Sequence, residues 1–95
     1  MGERLDQAQI DQHLGELSGW TLEGARIAKR FEFPSFVEAF GFMTRVALVC
    51  EKMNHHPDWS NTYRRVDVRL TTHSVGGLTR LDFKLAHAMD RLAAK

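Results

Sequence analysis

The residues best suited to chemistry in this sequence are His55, His56 and His73. An imidazole titrates near pH 6.5, so at neutral pH it can give or take a proton. Two or three imidazoles in one cleft can serve as paired general acid and base without a metal. His55 and His56 stand directly before Pro57. Proline biases the residue before it toward extended backbone, so the two rings need not point as helical neighbours would. Asp82, in the first turn of a later helix, could enter the same cleft and orient a histidine. It could equally be a helix cap and nothing more.

Other chemistries fit less well. Zinc could be held by His55, His56 and His73 with Glu51 or Cys50 as a fourth ligand. Glu51 and Cys50 are adjacent on a helix, about 100° apart, and Cys50 falls on the apolar side. The sequence has no Cys-x-x-Cys and no helical His-x-x-x-His pair, so no metal is expected. Cys50 reads as a buried structural thiol rather than a nucleophile. Gly76-Gly77 reads as a turn rather than a phosphate loop, and His13 and His87 as ordinary helix residues.

The histidines meet only if the elements around them are arranged in a particular way. Asp6 and Gln9 have capping-box spacing, and Ile10, Leu14 and Leu17 then recur at helical spacing toward the core. Ser18-Gly19 stops this short helix. Trp20–Glu23 reads as a strand, Gly24 as a turn, and Arg26–Phe33 as a second strand with Ile27, Phe31 and Phe33 on one face. Ser35 and Glu38 open a long helix expected from about Phe36 to about Asn54. Its core face is expected to carry Phe36, Ala39, Phe40, Met43, Val46, Ala47, Cys50 and Met53. A second stripe of Val37, Gly41, Thr44 and Leu48 suits contact with another subunit or cover by a loop. A third strand is expected from about Trp59 to about Tyr63. In a fourth, Val66, Val68 and Leu70 alternate with Asp67, Arg69 and Thr71. His73–Gly77 is a loop, and Thr79 with Asp82 caps a last helix whose stripe is Leu81, Leu85, Ala88 and Leu92.

Two hairpins separated by a helix, with further helices at both ends, predict an α+β two-layer sandwich: a four-stranded antiparallel sheet with helices packed on one face. If strands three and four form a hairpin, His73 returns to the end of the sheet where His55 and His56 lie. Four strands leave two edges, which a second subunit could pair, so an oligomer is expected.

Bulk properties narrow the function classes. The 95 residues are expected to form a single domain, 1–95, with net charge +1, 26% charged and 43% hydrophobic residues. So balanced a chain has no basic stripe for nucleic acid. No apolar run reaches membrane-spanning length, and the first residues show no secretory signal core. The lone cysteine allows no internal disulfide, and a cytoplasmic location is expected.

The run from Glu51 through Asn54-His55-His56-Pro57-Asp58-Trp59 to Tyr63, then Val66–Leu70, then Thr71-Thr72-His73-Ser74 through Thr79, and Asp82, resembles the pterin-4a-carbinolamine dehydratase family over nearly the whole chain. Gly19-Trp20 after the first helix also fits. The resemblance implies an α+β sandwich that forms a homodimer or homotetramer, with sheets joined across subunits and long helices packed together. It implies dehydration of a 4a-hydroxytetrahydropterin to the quinonoid dihydropterin, in recycling of the pterin used by an aromatic amino acid hydroxylase, with no cofactor. It implies His55 and His73 as acids for the two faces of the substrate, and His56 as the residue that holds the pterin and assists proton transfer. By the same resemblance Asn54, Thr71, Thr72 and Ser74 line the pocket, Asp82 is the acidic residue near the site, and Glu51 supports it. Asn54 and Ser74 stand where some relatives carry acids. Some relatives also act as dimerisation cofactors for a transcription factor through their helix surface, and nothing in this sequence selects for that role.

Overall fold

The computed structural model describes residues 2–94. Helix α1 (Gln7–Gly15) begins at the expected box: Asp6 Oδ1 accepts from the Gln9 amide at 2.8 Å, and Gln9 Oε1 accepts from the Asp6 amide at 2.9 Å. Strands β1 (Thr21–Glu23) and β2 (Arg26–Glu32) follow, then helix α2 (Phe36–Met53), strands β3 (Asp58–Thr62) and β4 (Arg65–Leu70), and helix α3 (Arg80–Ala93). A single 3-10 turn, His73–Val75, lies between β4 and α3. The α-β-β-α-β-β-α order and the α+β class agree with the sequence reading.

The sheet is antiparallel throughout, in the order β1-β2-β4-β3. The second strand of each hairpin therefore lies in the middle. Ile27 stands opposite Leu70 and Phe31 opposite Val66, which puts their side chains on one face. Every second residue of β4 is buried: Val66, Val68 and Leu70. The residues between them are polar and belong to the other face, where Arg30 Nε donates to Asp67 Oδ1 at 2.7 Å. That hydrogen bond holds the Asp67 carboxyl below its ordinary range. With so much exposure, the pair adds little stability.

The core lies between the sheet and helices α2 and α3. Here the sequence reading of α2 needs correction. Ala39, Phe42, Val46 and Cys50 are the buried residues of this helix, and Phe42 has no exposure at all. Phe36 and Phe40 are 45% and 51% exposed, and Ala47 is exposed. The buried arc is thus rotated by roughly 40°, less than one residue step, toward Phe42 and Val49. The cause is aromatic packing: the Phe42 ring sits 4.9 Å from both Phe31 and Phe33, filling the space over β2. Phe36 and Phe40 pack on each other instead, their rings tilted at 5.6 Å. In α3 the buried set is Asp82, Phe83, Leu85, Ala86, Ala88 and Met89. Leu81 and Leu92 sit at its margin, half-buried, because the short turn entering α3 aims Asp82 rather than Leu81 inward. Ile10, Leu14 and Leu17 are likewise only half-buried against the core.

The rotated face makes a direct prediction. Phe42→Ala should lower the unfolding free energy in urea by about 3–5 kcal/mol, the usual loss for a fully buried phenylalanine. A loss under about 1 kcal/mol would show that the core does not centre on this ring.

Candidate functional site

The site is built at the end of the sheet where α2 hands over to β3 and β4 to α3. Helix α2 stops because Asn54 adopts the left-handed conformation, φ 55° and ψ 44°. Asparagine accepts that region more readily than most residues. The Asn54 amide donates to Glu51 O at 3.3 Å and the His55 amide to Cys50 O at 3.1 Å. This is the Schellman pattern, and it ties the backbone of His55 to the last turn of α2. Pro57 then turns the chain outward into β3.

From that anchored position His55 reaches inward, and only 9% of its side chain is exposed. Its Nε2 lies 2.6 Å from Asp82 Oδ1. Asp82 is fully buried. Its second oxygen, Oδ2, accepts from the Thr79 amide at 2.9 Å and from the Thr72 hydroxyl at 2.8 Å. Thr72 and Thr79 are buried too, their hydroxyls 2.9 Å apart. Asp82 is therefore both the helix cap expected at this position and a histidine partner. A buried carboxylate is tolerable only with its oxygens engaged, and the capping geometry of α3 supplies part of that engagement.

The other two histidines lie at the same end of the sheet but on its surface. His56 Nε2 is 3.4 Å from Glu51 Oε1, with 59% of the histidine side chain exposed. His73 Nε2 is 3.6 Å from Asp58 Oδ2, with 79% exposed. His73 directly follows Thr72, so Thr72 and Asp82 connect the His73 turn to buried His55. The arrangement joins one fixed, carboxylate-paired imidazole to two that solvent reaches. One oriented ring and two open ones are groups of the kind that general acid–base chemistry uses.

The remaining sequence-derived residues take varied places. The Thr71 hydroxyl donates to Ala25 O at 2.8 Å, which ties the end of β4 to the β1–β2 turn. The Thr72 hydroxyl is used internally, by Asp82 and Thr79. Ser74 is exposed within the 3-10 turn, and Asn54 is exposed where α2 ends. Burial pushes the Cys50 thiol up to about 11, in keeping with a structural residue. Among the described residues no group of three or more His, Cys, Asp or Glu side chains is placed to hold a metal ion. No helix there is long and apolar enough to cross a membrane.

Sequence reasoning missed two members of the site. Asp58, the partner of His73, begins β3 straight after Pro57, and only the pairing of β3 with β4 brings it there. Thr79 was legible as a cap, but its hydroxyl contact with Thr72 depends on the antiparallel bridge between Thr72 and Gly77.

The family model for pterin 4 alpha carbinolamine dehydratase matches residues 3–92. A Rhizobium johnstonii protein, provisionally named pterin-4-alpha-carbinolamine dehydratase, is 59% identical over an alignment covering 98% of this chain and 94% of its own length. A Chelativorans protein with the same provisional name is 56% identical, over 98% and 97% of the two lengths. Among solved structures, a Brucella melitensis protein titled transcriptional coactivator/pterin dehydratase superposes with a TM-score of 0.93 at 45% identity, covering 96% of this chain and 99% of that one. A pterin dehydratase-like RuBisCO assembly factor of the alpha-carboxysome shares the fold, with a TM-score of 0.71 at 22% identity over 82% of this chain and 93% of that one.

The buried pair gives a stability prediction. Asp82→Ala strands the His55 ring, the Thr72 hydroxyl and the Thr79 amide without their acceptor. It should cost about 3–5 kcal/mol of unfolding free energy. Chemical denaturation checks this, and a loss under about 1 kcal/mol would mean the network is not formed in solution.

Proposed function

We propose, for a chain that belongs to the pterin-4a-carbinolamine dehydratase family, the elimination of water from a 4a-hydroxytetrahydropterin by histidine acid–base catalysis. The family's reaction makes the chain a hydro-lyase. The observation that carries the histidine mechanism is the buried His55–Asp82 contact at 2.6 Å, beside two accessible imidazoles.

In this reading a protonated imidazole gives its proton to the 4a-hydroxyl as the C4a–O bond breaks, and water departs. N5 gives up its proton to a base, and the N5–C4a double bond of the quinonoid dihydropterin forms. Atoms and electrons balance without an oxidant or reductant. His55 and His73 are the acids for the two faces of the substrate. His56, paired with Glu51, holds the pterin and assists proton transfer. Asn54, Thr71 and Ser74 border the pocket through their positions around the histidines. Asp82, with no exposed surface, acts through His55 and does not touch substrate. The substrate would come from an aromatic amino acid hydroxylase that has used its pterin, and the lone buried thiol of Cys50 fits the reducing cytoplasm.

Spectroscopic turnover of freshly prepared 4a-carbinolamine tests the mechanism. His55→Ala and His73→Ala should each lower kcat by about a hundredfold or more, the usual worth of a general acid. His56→Ala should also raise KM. Full activity in the His55→Ala/His73→Ala double variant would overturn the reading.

The same reading includes a homodimer or homotetramer. Support comes from the apolar band that α2 turns away from the core: Phe36, Val37, Phe40 and Leu48, with Val37 and Leu48 77% and 70% exposed. A patch of this kind on one helix suits contact with another subunit. Sedimentation should give a multiple of the 10.9 kDa chain mass, and Leu48→Glu should shift it to a smaller species. A wild-type protein that sediments as a monomer at micromolar concentration would refute the assembly.

A further inference from the structure

The hydrogen bonds around Asp82 have a fixed direction. A carboxylate only accepts, and a backbone amide only donates. The Thr79 amide therefore donates to Asp82 Oδ2. The Thr72 hydroxyl has one proton, and at 2.8 Å from the same oxygen it points that proton at the carboxylate. The 2.9 Å contact between the two hydroxyls must then run the other way, with Thr79 donating to Thr72. Thr79 Oγ1 in turn accepts from the Leu81 amide at 3.2 Å. Each polar proton in this buried cluster has one place to go.

The other oxygen of Asp82, Oδ1, takes His55 as its partner. The ring must place a proton on Nε2 to donate across the 2.6 Å contact. Among the described residues Nδ1 makes no hydrogen bond, yet no fully buried side-chain nitrogen or oxygen lacks a partner. Nδ1 is thus not completely sealed, and it is the ring nitrogen left over for a ligand. When the ring is neutral it is an acceptor there, and when the ring is charged it is a donor.

We propose that Thr72 is a positioning residue: through Asp82 it keeps the His55 proton on Nε2, so that His55 meets substrate only through Nδ1. The claim rests on the dehydratase reading for what Nδ1 does, but not for where the proton sits. Without the Thr72 hydroxyl, Oδ2 keeps one donor instead of two, and the Thr79 hydroxyl loses its acceptor. The carboxylate is then held by the Thr79 amide and His55 alone, and the ring it orients is less tightly fixed. The chain direction also explains why Thr72, though beside His73, offers nothing to a ligand: its one proton is spent inside.

The test combines ring spectroscopy with kinetics. Two-bond proton–nitrogen correlations on 15N-labelled wild-type protein, at a pH where His55 is neutral, should show Nε2 protonated and Nδ1 bare. Thr72→Val, which swaps the hydroxyl for a methyl of similar size, should lower kcat about tenfold, the worth of one hydrogen bond to a charged group. KM should stay within about twofold, since ground-state binding is untouched. Thr72→Ser keeps the hydroxyl and should recover kcat to within about threefold of wild type. A wild-type His55 protonated on Nδ1 would overturn the proposal, as would full activity in Thr72→Val or a serine variant as slow as the valine one. If the valine variant does not fold, the wild-type tautomer and the serine variant decide. If wild-type protein turns over no carbinolamine, the dehydratase reading falls, and the ring spectra of wild type and Thr72→Val decide the positioning claim: an identical, equally sharp His55 signal in both would overturn it.

Discussion

A carboxylate with no exposed surface has to have its oxygens occupied, and in this fold that requirement falls on Asp82. The backbone at the start of α3 supplies one donor, the second residue past β4 supplies another, and the second residue past α2 supplies a third. Three elements distant in sequence are held to one point by a group that cannot be left unpaired. The same point carries the histidine to which we assign an acid role. Stability and the proposed chemistry thus meet at Asp82, where the cost of an empty acceptor favours the geometry that orients His55.

Much of this was legible in the sequence, because the signals were local. The capping boxes at Asp6 and Thr79, the alternation in β4, and the turn residues between elements each depend on neighbours a few positions away. They yielded the element order and the end of the sheet where the histidines gather. What was not legible depended on distant packing. Phe42 and Phe40 are equally apolar and lie on the same helix. Only the rings of Phe31 and Phe33 decide that the first is buried and the second exposed. Likewise, His55 and His56 are adjacent and identical in type, yet one is buried and one open. The left-handed turn at Asn54 separates them, and its direction relative to α3 is set by the whole sheet. The family resemblance supplied distinct roles for the histidines, which spacing alone did not.

The correction to α2 has a structural meaning. Rotating the buried arc toward Phe42 leaves Phe36, Val37, Phe40 and Leu48 together on the opposite flank. The sequence reading had divided these residues between a core face and a narrow second stripe. On the structure they form one broad band on a helix whose other side is already packed. The outer face of the sheet differs, being dressed with ion pairs such as Arg30–Asp67 and Arg69–Glu23. The molecule thus has one apolar and one charged outer surface, and the apolar one lies on the helix that precedes the histidine pair.

In the proposed mechanism Asp82 acts on the reaction through His55 rather than by itself. A double-mutant cycle on kcat/KM measures this directly, using His55→Ala, Asp82→Asn and the two combined. If the carboxylate works only by holding the ring, its removal matters only while the ring is present. The account predicts that the double variant falls within about threefold of His55→Ala alone. Losses that multiply, each change costing as much in the other's absence, would contradict it.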